Sequence, residues 1–288
     1  MKPILYNTPM VQAILENRKT ATRRIIKGAD PSWRLIETYY ESVRKGKVYT
    51  KDIDGLWAKF ARGGPGYTMC HAPYLPGDVL YVRETWRVGA WDIPRQLMAF
   101  DYADGTCGDL VHIEDREMFL HLVDQSREDA RKAKCEFNGI DFVWKKGQAP
   151  TRWHPSIHMP KEAARIFLRV TNVRAERLWE SFGDGYGQAE RFQQEGITLP
   201  EECVTCIEAY GCPCCSDLDD SLPYDEQTGE DSEGGSECGM LDEVRNDFAL
   251  LWESTVKPAD LDRYGWAANP WAWVIEFERC EKPKEDGV

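Results

Sequence analysis

The chain lacks the long apolar segment that a membrane-spanning helix requires. No uninterrupted hydrophobic run reaches the roughly 18 residues needed for a span. Residues 1–7 are too few and too polar to form a signal peptide. We therefore expect a cytoplasmic protein that does not bind membranes. Hydrophobic residues make up 42% of the 288 positions, which is enough for a buried core.

Positive charge is missing from one segment. Residues 200–244 contain fourteen acidic side chains and no lysine or arginine. Of the 49 acidic residues in the chain, 35 lie elsewhere, against 36 lysines and arginines, so this segment accounts for the net charge of -13. The total charge therefore neither indicates nor excludes a nucleic-acid partner. Because the segment is also poor in apolar residues, we predict an acidic insertion at about 198–241.

Six of the ten cysteines fall within this insertion. In a reducing compartment, clustered cysteines indicate a metal site rather than disulfides. Two C-x-x-C pairs supply four thiolates, the number that tetrahedral zinc requires. The predicted ligands of a structural zinc are Cys203, Cys206, Cys212 and Cys215, with Cys214 and Cys238 as alternative ligands. The other interpretation is a disordered acidic loop with incidental cysteines.

Hydrophobic periodicity and turn signals predict an α+β protein. Strands are predicted at 2–6, 20–26, 79–84, 96–102, 166–173 and 271–278, and helices at 8–15, 114–136, 188–196 and 242–256. Residues 28–72 have mixed signals, and both this segment and residues 87–150 are interpreted as excursions from the main domain. Short strands separated by helices favour a small mixed β-barrel with flanking helices.

Residues 17–24, Asn-Arg-Lys-Thr-Ala-Thr-Arg-Arg, concentrate four cations and two hydroxyls directly after the first predicted helix. One interpretation is a solvated helix end, where cations complement the helix dipole. The other is an anion or nucleotide pocket in which Lys19 and Thr22 are chemically active.

Together with three later motifs, this segment resembles the ASCH superfamily, whose members share the PUA-like β-barrel. The matching stretches are residues 14–23, the Pro-Gly-Asp turn at 76–78, Gln-Glu-Gly-Ile at 194–197 and Trp-Val-Ile-Glu-Phe at 273–277. The long ASCH-domain proteins of phages and prophages are the most similar group, through residues 82–86, 155–160 and 265–271. The resemblance implies one PUA-like domain over residues 1–288. Asn17 replaces a common glycine, but asparagine tolerates the left-handed conformation.

The resemblance also implies a catalytic site. Some compact ASCH enzymes hydrolyse the amide of an acylated cytidine with a lysine, a threonine and a glutamate, which correspond here to Lys19, Thr22 and Glu195. A threonine hydroxyl needs a base to activate it, and a lysine can be that base only if its pKa is lowered. We therefore expect the three side chains to share a pocket. We also expect Lys19→Ala to abolish hydrolysis with little effect on stability.

Further residues are predicted to bind the substrate. They are Arg18, Thr20, Arg23, Arg83, Glu84, Trp86, Trp153, Ser156, His158 and Trp271. The tryptophans have the shape to stack on bases. The alternative is that they only close the barrel.

Three functions remain open at this point. The first is recognition of RNA or a modified nucleoside, extended to hydrolysis of N4-acylated cytidine. The second is RNA binding without chemistry. The third is a phage regulatory or anti-defence protein that binds a host protein through residues 200–244.

Overall fold

The computed structural model describes residues 1–42, 54–62, 66–182, 188–199 and 239–283. Its strands are Lys2–Leu5 (β1), Ala21–Ile25 (β2), Arg34–Ser42 (β3), Asp54–Ala61 (β4), Tyr67–His71 (β5), Val79–Arg83 (β6), Trp86–Asp92 (β7), Leu97–Tyr102 (β8), Val111–His112 (β9), Glu136–Phe137 (β10), Phe142–Val143 (β11), Phe167–Arg177 (β12) and Trp271–Cys280 (β13). Its α-helices are Thr8–Leu15 (α1), Arg116–Lys132 (α2), Gln188–Gln194 (α3), Gly239–Ser254 (α4) and Leu261–Tyr264 (α5).

Every predicted strand and helix is confirmed, with ends that differ by a few residues. The mixed helix-and-sheet composition is consistent with the predicted α+β class, while the closed barrel stays a prediction. Within the excursions the periodicity predicted β8 and α2, but it did not predict the other strands, which are β3, β4, β5, β7, β9, β10 and β11. By contact density the chain forms two compact units, although the sequence analysis treated it as one domain.

The first unit comprises Met1–Leu15, Gly77–Arg169 and Glu278–Val288. Its sheet is centred on β6, which pairs in parallel with β1 and antiparallel with the start of β12. The excursion after β6 forms a second antiparallel sheet in the order β7-β8-β9. Helix α2 packs Phe119 and Val123 into a core that contains Trp86 and Phe100.

The second unit comprises Glu16–Pro76 and Val170–Phe277. Strand β13 pairs antiparallel with β2, with Ile275 opposite Thr22. The excursion after β2 folds into an antiparallel sheet in the order β3-β4-β5. A separate core contains Phe182, Phe192 from α3 and Phe248 from α4. This core lies beside the segments that carry the predicted catalytic residues.

None of the helices in the described ranges combines the length and the apolar character needed to cross a membrane.

Candidate functional site

The basic motif begins with a turn at Asn17. Asn17 has a φ of 58°, within the left-handed region. This confirms that the asparagine accommodates the conformation expected from the usual glycine. The turn leads to Lys19, just before β2, and the main chain of Thr20 then hydrogen-bonds to Gln194 O and Phe277 N. These bonds hold the start of β2 next to the end of α3.

Lys19 is buried, with a side chain that is only 1% exposed. Its ammonium donates to three oxygens: Glu195 Oε2 at 2.6 Å, Glu195 O at 2.7 Å and Ala21 O at 2.8 Å. An ammonium has three N–H donors. The arrangement therefore connects a residue near the start of the chain with one 176 positions later.

Glu195 follows the last residue of α3 and is also buried. Its second carboxylate oxygen, Oε1, accepts a hydrogen bond from Arg23 Nη1 at 2.9 Å. Each oxygen of the carboxylate is thus paired with a different cation. The predicted contact between Lys19 and Glu195 is present, and Arg23 completes a buried group of three charges.

Arg23 is held by the turn that contains Ser181 and Phe182. Its Nη2 donates to Ser181 O at 2.7 Å, and its Nε contacts Ser181 Oγ at 2.5 Å. The guanidinium lies 3.7 Å from the centre of the Phe182 ring, a cation–π contact. These contacts fix the orientation of the arginine and therefore that of the Glu195 carboxylate.

Burial and mutual charge both affect the pKa values of Lys19 and Glu195. Burial lowers the pKa of Lys19 and outweighs the opposing effect of the Glu195 carboxylate. Burial by itself would raise the pKa of Glu195, but Lys19 and Arg23 more than compensate, so the pKa lies below its ordinary value. A lysine with a lowered pKa meets one requirement of a general base.

Thr22 is buried in the middle of β2. Side chains alternate along a strand, so Thr22 projects to the face opposite that of Arg23. Arg23 is the neighbour that contacts Glu195. The approach of the Thr22 hydroxyl to Lys19 therefore stays a prediction, while the lysine and the glutamate are in direct contact.

The remaining predicted residues of this unit have varied environments. Arg18 binds Glu16 through two nitrogens and donates to Gly196 O at 3.2 Å. Thr20 is exposed. Trp271 is only 8% exposed, and its indole donates to Trp33 O at 3.0 Å. Trp271 therefore packs inside the protein, and its stacking on a base stays a prediction.

The other predicted binding residues belong to the first unit. The side chains of Arg83 and Glu84 are engaged by Ile157 O and by Arg165, respectively. Trp86 is buried, and its ring stacks on that of His154 with 4.5 Å between the ring centres, while its contact with a substrate stays a prediction.

Trp153 is 46% exposed, and Arg87 lies 4.6 Å from its ring centre. Ser156 is half-buried and His158 is exposed, both on a short 3-10 turn. The pocket predicted to combine these residues with Lys19 stays a prediction.

The predicted zinc ligands Cys203, Cys206, Cys212 and Cys215 lie outside the described residues, as do the alternatives Cys214 and Cys238. In the ranges that are described, no three His, Cys, Asp or Glu side chains cluster in a way that would hold a metal ion. The structural zinc therefore stays a prediction from sequence.

Sequence reasoning missed two groups of residues. Ser181 and Phe182 orient Arg23, yet they lie 158 and 159 positions away from it and belong to no motif. In the first unit, Arg165 forms a bidentate pair with Glu84 and also contacts Asp104 at 2.7 Å. The signal that identifies these partners is spatial proximity, which a single sequence does not contain.

Comparison of the chain with protein-family models, with curated proteins and with solved structures finds no match.

Proposed function

We propose that this protein recognises RNA or a modified nucleoside and that Lys19, Thr22 and Glu195 hydrolyse the amide of N4-acylated cytidine. The proposal includes the PUA-like barrel and the phage or prophage ASCH-type identity implied by the motifs. The observation that supports it most is the 2.6 Å contact between Lys19 Nζ and Glu195 Oε2. The two residues are far apart in the chain, and the resemblance required them to meet.

The proposed chemistry begins with the neutral form of Lys19. Neutral Lys19 takes the proton of the Thr22 hydroxyl while the threonine oxygen attacks the acyl carbonyl carbon. The bond between that carbon and N4 of the base then breaks, and the proton passes from Lys19 to N4, which releases cytidine. Water hydrolyses the threonine ester, releases the carboxylic acid and restores the hydroxyl. Glu195 holds the lysine in place, and Arg23 holds Glu195.

The number of acceptors around Lys19 favours a second candidate function. Its ammonium is already paired with three oxygens of the protein. A lysine in that state is protonated and balances the buried charge of Glu195. In this alternative the protein binds RNA without chemistry, and exposed groups such as Trp153 contact the bases.

Thr22→Val is the variant that tests the hydrolase. It removes the nucleophile, keeps the shape of the side chain and leaves the Lys19–Glu195 pair intact. The full chain is incubated with N4-acetylcytidine, and cytidine release is measured by chromatography. We expect wild-type turnover and a loss of at least about a hundredfold in Thr22→Val. Thr171→Val, an exposed change on β12, is the matched control and retains wild-type turnover.

The same preparation distinguishes the two candidates. A wild-type protein that binds RNA with a strong salt dependence but releases no cytidine is a binding module, because phosphate contacts release counterions. Equal turnover by wild type and Thr22→Val would also reject the proposed nucleophile. The third possibility, a host protein bound through residues 200–244, predicts a captured partner that is lost when this segment is deleted.

A further inference from the structure

The first unit contains a cleft that is separate from the predicted catalytic residues. It has a volume of about 520 Å³ and lies along β7, β8 and the segment around β11. Clefts of about 300–1,000 Å³ accommodate small organic molecules. Its lining includes Trp91, Trp144, Leu110 and Phe142 together with the carboxylate of Asp101. No predicted function uses this cleft.

Two tryptophans form its apolar wall in a fixed orientation. The rings of Trp91 and Trp144 meet edge to face, with centres 5.3 Å apart. The Trp91 indole donates to Asp141 Oδ2 at 2.8 Å, and the Trp144 indole donates to Gly89 O at 2.8 Å. Because both N–H donors are used inside the protein, the wall offers a ligand apolar ring surface. Because the two rings are already fixed, binding of a ligand does not incur the entropic cost of immobilising them.

The Asp141 carboxylate is itself anchored. Arg127 from α2 donates to both of its oxygens, at 3.1 and 2.6 Å. The charge of Asp141 is therefore compensated, and its role is to hold Trp91. Two other carboxylates line the cleft, that of the exposed Asp109 and that of the buried Asp101.

Asp101 lines the cleft and is only 4% exposed. Arg87 contacts only its Oδ2, at 3.3 Å, which is longer than the usual 2.7–2.9 Å of such pairs. The Cys107 thiol also hydrogen-bonds to Asp101. A Cβ at Gly89 would lie 2.6 Å from Asp101 Oδ1, so glycine keeps this oxygen unobstructed. A carboxylate has about four acceptor positions, of which Arg87 and Cys107 use at least two.

We infer that this cleft binds a flat ring bearing two adjacent N–H donors, of the guanine or amidine type, which pair with the Asp101 carboxylate. The ring matches the apolar wall of Trp91 and Trp144, since stacked and edge contacts favour flat aromatic ligands. Two parallel N–H donors match the two oxygens of a carboxylate. Asp109 and Lys146, which are exposed and of opposite sign, also line the cleft.

The experiment is calorimetric titration of the full chain with guanosine, inosine, adenosine and benzamidine. Inosine lacks the second donor of guanosine, and adenosine presents a ring acceptor in place of the ring N–H. We expect guanosine or benzamidine to bind, and inosine and adenosine to bind more weakly than guanosine by on the order of tenfold. Binding of guanosine identifies a nucleobase ligand, whereas binding of benzamidine alone identifies an organic amidine.

Two variants and a control complete the test. Asp101→Asn replaces one acceptor oxygen by a donor and should weaken binding by on the order of tenfold. Ala90→Trp fills the cleft from an exposed position and should abolish binding without disturbing the core. Leu120→Trp, on the exposed face of α2, should bind like wild type. The inference is overturned if neither guanosine nor benzamidine binds the folded wild type, or if Ala90→Trp binds as wild type does. Neither outcome affects the hydrolase proposal, because these residues lie outside its site.

Discussion

At the scale of the residue, the main feature of the site is the group of three buried charges formed by Lys19, Arg23 and Glu195. Removing charges from water is costly, and the pairing repays this cost only when the geometry is good and other polar atoms are satisfied. Here both carboxylate oxygens of Glu195 accept hydrogen bonds, and all three N–H groups of the Lys19 ammonium have acceptors. Such a group adds little net stability, but removing one member leaves an uncompensated charge in the interior.

The first prediction concerns Lys19→Met. It should lower the free energy of unfolding by about 3 kcal/mol, because Glu195 loses its closest counter-charge while buried. Urea unfolding measures the change. Lys132→Met is the control, since the Lys132–Glu128 pair is exposed to solvent and its loss should change the free energy of unfolding far less. From the sequence we expected Lys19→Ala to leave stability nearly unchanged. Because Lys19 is buried, we now expect its removal to destabilise the protein. Equal effects of the two variants would contradict the ion-pair argument.

The second prediction concerns pH. The pKa of Glu195 is lowered in the folded protein by Lys19 and Arg23, against the effect of burial. A carboxylate with a lowered folded pKa stabilises the protein above its unfolded pKa, about 4.3, and this contribution is lost as the pH falls through the folded pKa.

We therefore expect wild-type stability to fall more steeply below about pH 5 than that of Glu195→Gln. The measurement is urea unfolding at several pH values. Glu278→Gln, whose side chain is 63% exposed, should retain the wild-type slope. Parallel curves for wild type and Glu195→Gln would show that this carboxylate does not titrate as described.

At the scale of the element, α2 shows how a local signal fixes a helix. Asp115 precedes the helix, and its side chain accepts a hydrogen bond from Met118 N at 3.0 Å. Arg131 and Lys132 lie in the last turn, where cations complement the helix dipole. The apolar residues that face the core recur at helical spacing, which is why the sequence predicted this helix.

The third prediction is that Asp115→Ala lowers the free energy of unfolding by about 1 kcal/mol, because an N–H group of the first turn loses its acceptor. Asp115→Ser keeps a capping oxygen and should retain most of the stability. Thermal or urea unfolding of the three proteins measures the difference. If alanine and serine had the same effect, the cap would not be the cause.

At the scale of the whole molecule, the acidic segment separates two parts of the second unit. Leu199 is buried in the core before it, and α4 begins at Gly239 after it. A deletion of residues 200–238 therefore leaves both Leu199 and α4 in place. The segment's composition offers little apolar surface to the core.

The fourth prediction is that the purified chain contains about one zinc ion, bound by Cys203, Cys206, Cys212 and Cys215. Elemental analysis after purification without chelator measures the metal. The deletion of residues 200–238, joined by a short flexible linker, should lose the metal and still unfold cooperatively. A metal-free wild-type protein would reject the zinc site, and a deletion variant that fails to fold would show that the segment is part of the fold.

The sequence by itself determined the elements with strong local signals. Alternating apolar residues predicted β13, and helical spacing predicted α2 and α4, because side-chain periodicity follows directly from backbone geometry. Asparagine at position 17 was expected to adopt the left-handed conformation, and its φ of 58° confirms this. The pairing of Lys19 with Glu195 came from the order of motifs in the family resemblance, since nothing local connects the two residues.

Only the tertiary structure decided which groups contact the buried charge of Arg23 and which tryptophans are buried. Ser181 and Phe182 contact Arg23 because the chain returns after more than 150 residues, and no local pattern records such a contact. Trp86 and Trp271 are buried while Trp153 is exposed, although all three are tryptophans. The cleft at Asp101 depends on β7, β8 and the segment near β11 packing together. Long-range packing determines burial, and burial decides whether a polar side chain pairs internally or remains available to a ligand.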